Sequence, residues 1–194
     1  MTSRSIIALA IPFASFLSCA DPVLSDKVDT LGNETSGVDK GQFHRAGQPC
    51  VTCHQEGGPA SDSPFTVAGT VFAQPMRQIG VEGAEIRMTD ADGTKHTAKT
   101  NCVGNFFVKA DEWQPKFPIL VEVAKGNNRR SMRSAIGREA SCATCHILGL
   151  RDFGSPGQIR LYDTESEVDT AKPPIPAQCP NDQPQLTQCP EDRL

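Results

Sequence analysis

The 194-residue sequence has few aromatic side chains, no excess of basic residues and no apolar run of membrane-spanning length. Aromatic residues make up 6% of the chain, so we expect a core of mainly aliphatic side chains. The net charge of −4 argues against nucleic-acid binding, because phosphate contacts need a basic surface. The one long apolar stretch, residues 6–17, is too short to cross a bilayer as a helix. We therefore expect neither a membrane bundle nor a general nucleic-acid-binding protein.

Signs of hydrolytic and calcium-binding chemistry are also missing. We find no nucleophile–base pair in the sequence, so no catalytic residues are predicted. Residues 90–93 resemble the start of a calcium loop, but Asn101 stands where an EF-hand requires glutamate. We therefore interpret residues 90–93 as a turn.

The first 20 residues have the three parts of a secretory signal. They are the basic residue Arg4, the apolar run 6–17 and small residues at the expected cleavage site. Cleavage after Ala20 would give a soluble chain, whereas cleavage before Cys19 would leave a cysteine that carries lipid. The residues up to Cys19 resemble a bacterial lipoprotein signal, although Phe16 stands where that family usually has leucine. A transmembrane anchor is the least favoured alternative. All three alternatives predict an exported protein, in the periplasm, anchored to a membrane through lipidated Cys19, or at the cell surface.

Four of the eight cysteines form two copies of the pattern Cys-X-X-Cys-His. Two thiols at this spacing lie on one side of a turn and can add to the two vinyl groups of one porphyrin, while the next histidine reaches the iron. We therefore predict two covalently bound c-type haems. The predicted haem-binding residues are Cys50, Cys53 and His54 in the first motif, and Cys142, Cys145 and His146 in the second.

Three other interpretations of the paired cysteines are open. Both pairs together would make a four-sulfur zinc site, but this leaves the histidine after each pair without a role. A thioredoxin-like redox site lacks the expected βαβ pattern. Structural disulfides are the third alternative.

The second axial position of each iron has few candidate ligands in this sequence. His44 lies ten residues before His54 in a loop with glycine and proline, which allow the chain to fold back toward either haem. Met132 lies ten residues before Cys142, and methionine sulfur is soft enough to bind iron. We predict His44 and Met132 as metal ligands; the alternatives are an exposed loop histidine and a packing contact. His96 is expected to be solvated.

Three further cysteines remain after either cleavage. We expect Cys179 and Cys189 to pair, because they enclose a short proline-rich loop, and Cys102 to be a buried thiol. In the alternative, Cys102 is joined to the C-terminal tail.

Between residues 65 and 136 the sequence follows the period of β-strands. Ala84, Ile86 and Met88 alternate with polar residues, and turn residues recur every 8–12 positions. This pattern predicts a mainly β fold, a small antiparallel β-sandwich flanked by the two haem motifs within residues 41–162. Residues 157–162 are expected to add a closing strand.

The remaining segments are polar and rich in proline or acidic residues. We expect a flexible tether over residues 21–40 and an irregular acidic tail over residues 163–194.

Short runs within residues 65–108 carry a family resemblance. They are Ala68-Gly69-Thr70-Val71, Val81-Glu82-Gly83-Ala84, Asp90-Ala91-Asp92-Gly93-Thr94 and Gly104-Asn105-Phe106. With them the segment resembles a carboxypeptidase-regulatory-like domain, which implies a transthyretin-like β-sandwich without peptidase activity. Since haem motifs stand on both sides, residues 41–162 are similar to exported multihaem proteins of environmental bacteria.

The sequence therefore predicts an exported dihaem c-type cytochrome that carries electrons between redox partner proteins and is not an enzyme. Two alternatives remain open. One is a small dihaem peroxidase or reductase with one open haem, and the other is a haem-bearing filament or docking module. The oligomeric state is not determined by the sequence.

Overall fold

The computed structural model describes residues 21–34, 37–74, 79–138, 140–147 and 154–162. The predictions for the signal segment and the acidic tail, with the pairing of Cys179 and Cys189, lie outside these residues. No helix in the described ranges is long and apolar enough to cross a membrane. The elements are α1 (Pro22–Thr30), a 3₁₀ turn (Cys50–Thr52), β1 (Phe65–Thr70), β2 (Glu85–Thr89), β3 (Lys95–Lys99), β4 (Asn105–Lys109), β5 (Leu120–Lys125), β6 (Asn128–Ser131) and α2 (Cys142–Cys145).

The strands form two antiparallel sheets, which confirms the mainly β prediction. Strands β1 and β4 pair in a two-stranded sheet, and the other four are ordered β3-β2-β5-β6. The predicted alternation holds in β2, where Ile86 and Met88 are buried and their neighbours are half-buried. The predicted turn joins β2 to β3, with Gly93 at φ 82°, a conformation that glycine adopts without steric cost.

One hydrophobic core is shared by the two sheets. Val67 of β1 and Phe106 of β4 belong to the same buried cluster as Ile86 of β2 and Val123 of β5. Cys142 of the second haem motif is also a member. Burying one large apolar side chain contributes about 1.5–3 kcal/mol. Since Cys142 lies in the shared core, the packing that holds the two sheets together also holds the second motif.

Within residues 21–40, predicted as a flexible tether, the described residues include a regular helix. The structure has helix α1 there, and the Asp21 carboxylate caps it by accepting hydrogen bonds from Val23 N and Leu24 N. No residue of α1 is buried. Only two half-buried apolar residues of the helix, Leu24 and Val28, lie one turn apart, which is too few for hydrophobic periodicity to predict it.

The predicted closing strand over residues 157–162 is likewise not formed as a strand. Arg160 makes an isolated parallel bridge with Phe72, and Phe72 N donates to Ile159 O at 2.8 Å. The segment thus pairs beside the end of β1, but too briefly for a regular ladder.

The prediction of Cys102 as a buried thiol was wrong. Cys102 is buried but disulfide-bonded. None of the four motif cysteines is in a disulfide, so the partner of Cys102 lies outside the described residues. The alternative, in which Cys102 is joined to the C-terminal tail, stays a prediction.

Residues 90–93 form the expected turn, built on the Asp90 carboxylate. Its oxygens accept hydrogen bonds from the backbone N–H groups of Asp92, Thr94 and Lys116. Burial alone would raise the pKa of Asp90, but these donors favour the charged form and bring the pKa below its usual value of 3.8.

We expect the stability that Asp90 contributes to depend on pH. A lowered carboxylate pKa stabilises the fold fully above pH 3.8 and loses this effect as the pH falls through the lower folded value. Asp90→Asn should therefore lower the free energy of unfolding at neutral pH and matter less in acid. Urea unfolding across pH measures this, with exposed Asp111→Asn as the control. An equal loss at every pH would contradict it.

Candidate haem centres

The first motif places both cysteines and its histidine on one tight turn. Cys50 begins the 3₁₀ turn, and its carbonyl oxygen accepts hydrogen bonds from Cys53 N at 3.2 Å and His54 N at 3.0 Å. A loop over residues 53–64 leads from the turn into β1. The three predicted haem-binding residues of this motif are therefore brought together by local backbone bonds.

The His54 ring is fixed on two sides. Its Nδ1 lies 2.7 Å from Ser63 O, and its ring stacks on Phe65 at a centroid distance of 3.9 Å. A carbonyl oxygen only accepts hydrogen bonds, so Nδ1 carries a proton. In the neutral ring Nε2 then keeps its lone pair and is the nitrogen of His54 that could bind a metal.

The second motif has the same arrangement on a different element. Cys142–Cys145 form the single turn α2, and His146 N donates to Cys142 O at 2.9 Å. His146 Nδ1 lies 2.8 Å from Gly157 O. His146 therefore holds the same tautomer as His54, with the Nε2 lone pair available for a metal.

The motif cysteines are thiols in differing surroundings. Burial raises the pKa of Cys50 to about 11, and burial also raises the pKa of Cys53. Cys142 is buried and Cys145 exposed. A protonated thiol is a poor nucleophile, so the folded first motif would react slowly with a vinyl group. Thioether formation is thus easier before this part of the chain folds.

Strand β1 contacts both motifs. At its start Phe65 N donates to His54 O at 2.9 Å, and further along Ala68 N donates to Ala140 O at 3.1 Å. Gly69 faces Cys142, and a Cβ at Gly69 would lie 2.8 Å from the Cys142 Cβ. At about 3.3 Å per residue, these contacts fall within about 13 Å along the strand. Two motifs far apart in sequence are thus held on one strand.

His44 lies next to the first motif. The His44 and His54 ring centroids are 6.1 Å apart, and the planes are inclined by 49°. Burial lowers the pKa of His44, against the opposing effect of Glu34, so the ring is neutral at neutral pH, as a metal ligand must be. The sequence did not indicate which of the two predicted haems His44 would serve. In the structure His44 lies beside the first motif.

Met132 and His96 lie on the four-stranded sheet. Met132 follows β6, is half-buried and donates its N–H to Val121 O at 3.0 Å. Its role as a ligand stays a prediction. The expectation of a solvated His96 was wrong: the residue is 8% exposed and stacks on Trp113 at 5.1 Å. Trp113 covers the face that a strand pattern would leave to solvent.

Several residues that shape the two centres were missed from the sequence. Ser63 and Gly157 act through backbone carbonyls, so their side chains give no signal. Phe65 was recognised only as the start of a strand, although it stacks on His54. The position of Phe65 soon after a Cys-X-X-Cys-His motif is the one feature of the sequence that could have indicated this contact.

The described donor groups of the two motifs are not gathered at one metal site. In the described part of the chain, no group of three or more histidine, cysteine, aspartate or glutamate side chains is placed to hold a metal ion. All four motif cysteines lie in that part, so the four-sulfur zinc site is not formed. The histidine after each pair, unexplained by zinc, has the tautomer that an iron ligand needs.

No family model matches the chain, and no curated protein or solved structure matches it. The resemblance to a carboxypeptidase-regulatory-like domain therefore stays a prediction.

Proposed function

We propose that the protein is an exported dihaem c-type cytochrome that carries electrons between redox partner proteins. The observation that carries this proposal is the matched setting of His54 and His146, each with Nδ1 bonded to a backbone carbonyl directly after a Cys-X-X-Cys pair. One such histidine would be unremarkable, since buried imidazoles usually bond to something. The same setting at both motifs supports a common role as axial ligands.

The residues of the chain have distinct tasks in this proposal. The sulfurs of Cys50, Cys53, Cys142 and Cys145 would hold the two haems covalently. Each haem, when bound, supplies an iron that changes oxidation state without making or breaking substrate bonds. Ser63 O and Gly157 O orient the imidazoles, and such outer contacts make the ligating nitrogen more basic. Strand β1 keeps the two attachment points at a constant separation.

The wider architecture is part of the same proposal. The two sheets share one core, which supports a small β-sandwich whose edge at β1 carries both motifs. Export and attachment to a membrane through lipidated Cys19 follow from the sequence pattern of the signal segment. In such a location the protein would exchange electrons with proteins of the periplasm or the cell surface.

The test is to produce the full-length protein in a host that attaches haem to cytochromes c. We expect the intact mass of the product to exceed that of the polypeptide by two haems, and reduced-minus-oxidised spectra to show c-type bands. The same mass identifies the mature N-terminus and any lipid on Cys19. A colourless product with the mass of the polypeptide alone would overturn the proposal.

A further inference from the structure

The loop that carries His44 has no regular secondary structure, yet buried polar side chains hold it on the sheet. Asn101 Nδ2 donates to Gln42 O at 2.7 Å. Asn105 Nδ2 donates to His44 O at 3.0 Å and to Gln42 O at 3.3 Å. Both asparagines are buried, so these bonds are made where water does not compete.

The same network reaches the far end of the loop. Thr70 Oγ1 donates to Asn105 Oδ1 at 2.7 Å and accepts from Gly47 N at 2.8 Å. Phe43, next to His44, is buried in a small cluster with Val103. The loop is therefore fixed on both sides of His44 as well as at His44 itself.

Arg45 adds backbone strain at the residue after His44. Its φ of 50° lies in the left-handed region, which is unfavourable for residues other than glycine. The guanidinium offsets this cost by donating to Glu34 Oε1 at 2.9 Å, to Gln48 Oε1 at 2.7 Å and to Gly32 O at 2.8 Å. Strain of this kind persists where the surrounding bonds determine the conformation, as they do beside His44.

The separation of the His44 and His54 rings has a simple interpretation. An imidazole nitrogen binds a metal ion such as zinc at about 2 Å, and this nitrogen lies on the rim of a small five-membered ring. Two imidazoles on opposite sides of one metal thus have centroids about 6 Å apart. The observed centroid distance is 6.1 Å.

We propose that His44 is the second axial ligand of the iron at the first motif, which rests on the function proposed above. His44 Nδ1 accepts a hydrogen bond from Gly41 N at 3.3 Å, a long contact. With Nε2 on the iron, Nδ1 would carry the proton and would no longer accept from Gly41 N. The other bonds of the loop do not involve the His44 ring and would remain.

The proposal gives the two centres different axial ligands. The chain contains four histidines, of which His44 and His54 serve the first centre and His96 is stacked on Trp113. His146 is then the one imidazole at the second centre, whose other position takes methionine, with Met132 the predicted candidate, or a small external ligand. Axial ligands set the reduction potential, so the two haems differ in potential.

Carbon monoxide binding to the reduced holoprotein tests His44. Two imidazoles leave no position for carbon monoxide at the first centre, so His44→Ala should bind one equivalent more than the natural protein. The exposed Lys40→Ala, four residues earlier, is the matched control and should bind the same amount as the natural protein. An unchanged carbon monoxide equivalent in His44→Ala would overturn the proposal.

A second measurement needs no substitution at His44. Near-infrared magnetic circular dichroism of the oxidised protein distinguishes an imidazole pair from imidazole with methionine, and we expect one paired centre. Its signal should persist in Cys142→Ala/Cys145→Ala, which keeps only the first haem. Loss of the signal there would assign His44 to the second haem, and its absence from the natural protein would overturn the proposal. A protein without haem would instead contradict the proposed function.

Discussion

Replacing Cys142 and Cys145 together by alanine should give a protein that carries one haem. Both thioether bonds of the second motif are lost, whereas the first motif lies on a separate turn whose bonds do not involve α2. Alanine is chosen because Cys142 is buried among apolar side chains, where a serine hydroxyl would need a partner. Intact mass spectrometry, with the absorbance per chain, measures the outcome.

The matched variant is Cys50→Ala/Cys53→Ala, which should lose the other haem and leave His146 with its own. The two variants together should have complementary spectra that sum to the spectrum of the natural protein. A variant that keeps both haems would show that the substituted pair is not an attachment site. Loss of both haems from a variant that still folds would show that attachment at one motif depends on the other.

Gly69→Ala should destabilise the fold and displace α2 from β1. A Cβ at this position would lie 2.8 Å from the Cys142 Cβ and 3.0 Å from its Sγ. The Phe106 ring, also 3.0 Å away, blocks movement to the other side. Overpacking of this kind costs about 1–3 kcal/mol, and chemical unfolding of the holoprotein measures it.

Gly137→Ala is the control for this effect. A Cβ at Gly137 has no heavy atom within 4 Å, and the residue does not require the left-handed conformation. Its free energy of unfolding should stay close to that of the natural protein. If both glycine variants lost the same stability, close packing of β1 against α2 would not be the cause.

The sequence predicted those elements in which burial alternates along the chain. Strand β2 is the clearest, because Ile86 and Met88 face the core and the residues between them do not. Helix α1 was missed because nothing in it is buried. The burial of His96 was not predicted, because the side chain that covers it, Trp113, comes from the loop after β4. Periodicity reports which face of an element is buried, but not what covers it.

The residues proposed to bind haem directly were chosen from the sequence, because thiols and imidazoles at a set spacing are distinctive, and their role stays a prediction. Their supporting contacts were not predictable. Ser63 and Gly157 contribute only carbonyl groups, which every residue has. The buried bonds from Asn101 and Asn105 to the His44 loop join residues about sixty positions apart, and no local pattern indicates such pairs.

The contacts of β1 with both motifs have a consequence for how the chain can vary. The turns at residues 90–94 and 126–127 belong to the other sheet, so insertions there would lengthen loops and leave the distance between the two motifs unchanged. Insertion of a single residue within β1 would shift one motif relative to the other and turn alternate side chains to the opposite face. Homologues should therefore differ in the hairpin loops of the four-stranded sheet and agree in the length of β1.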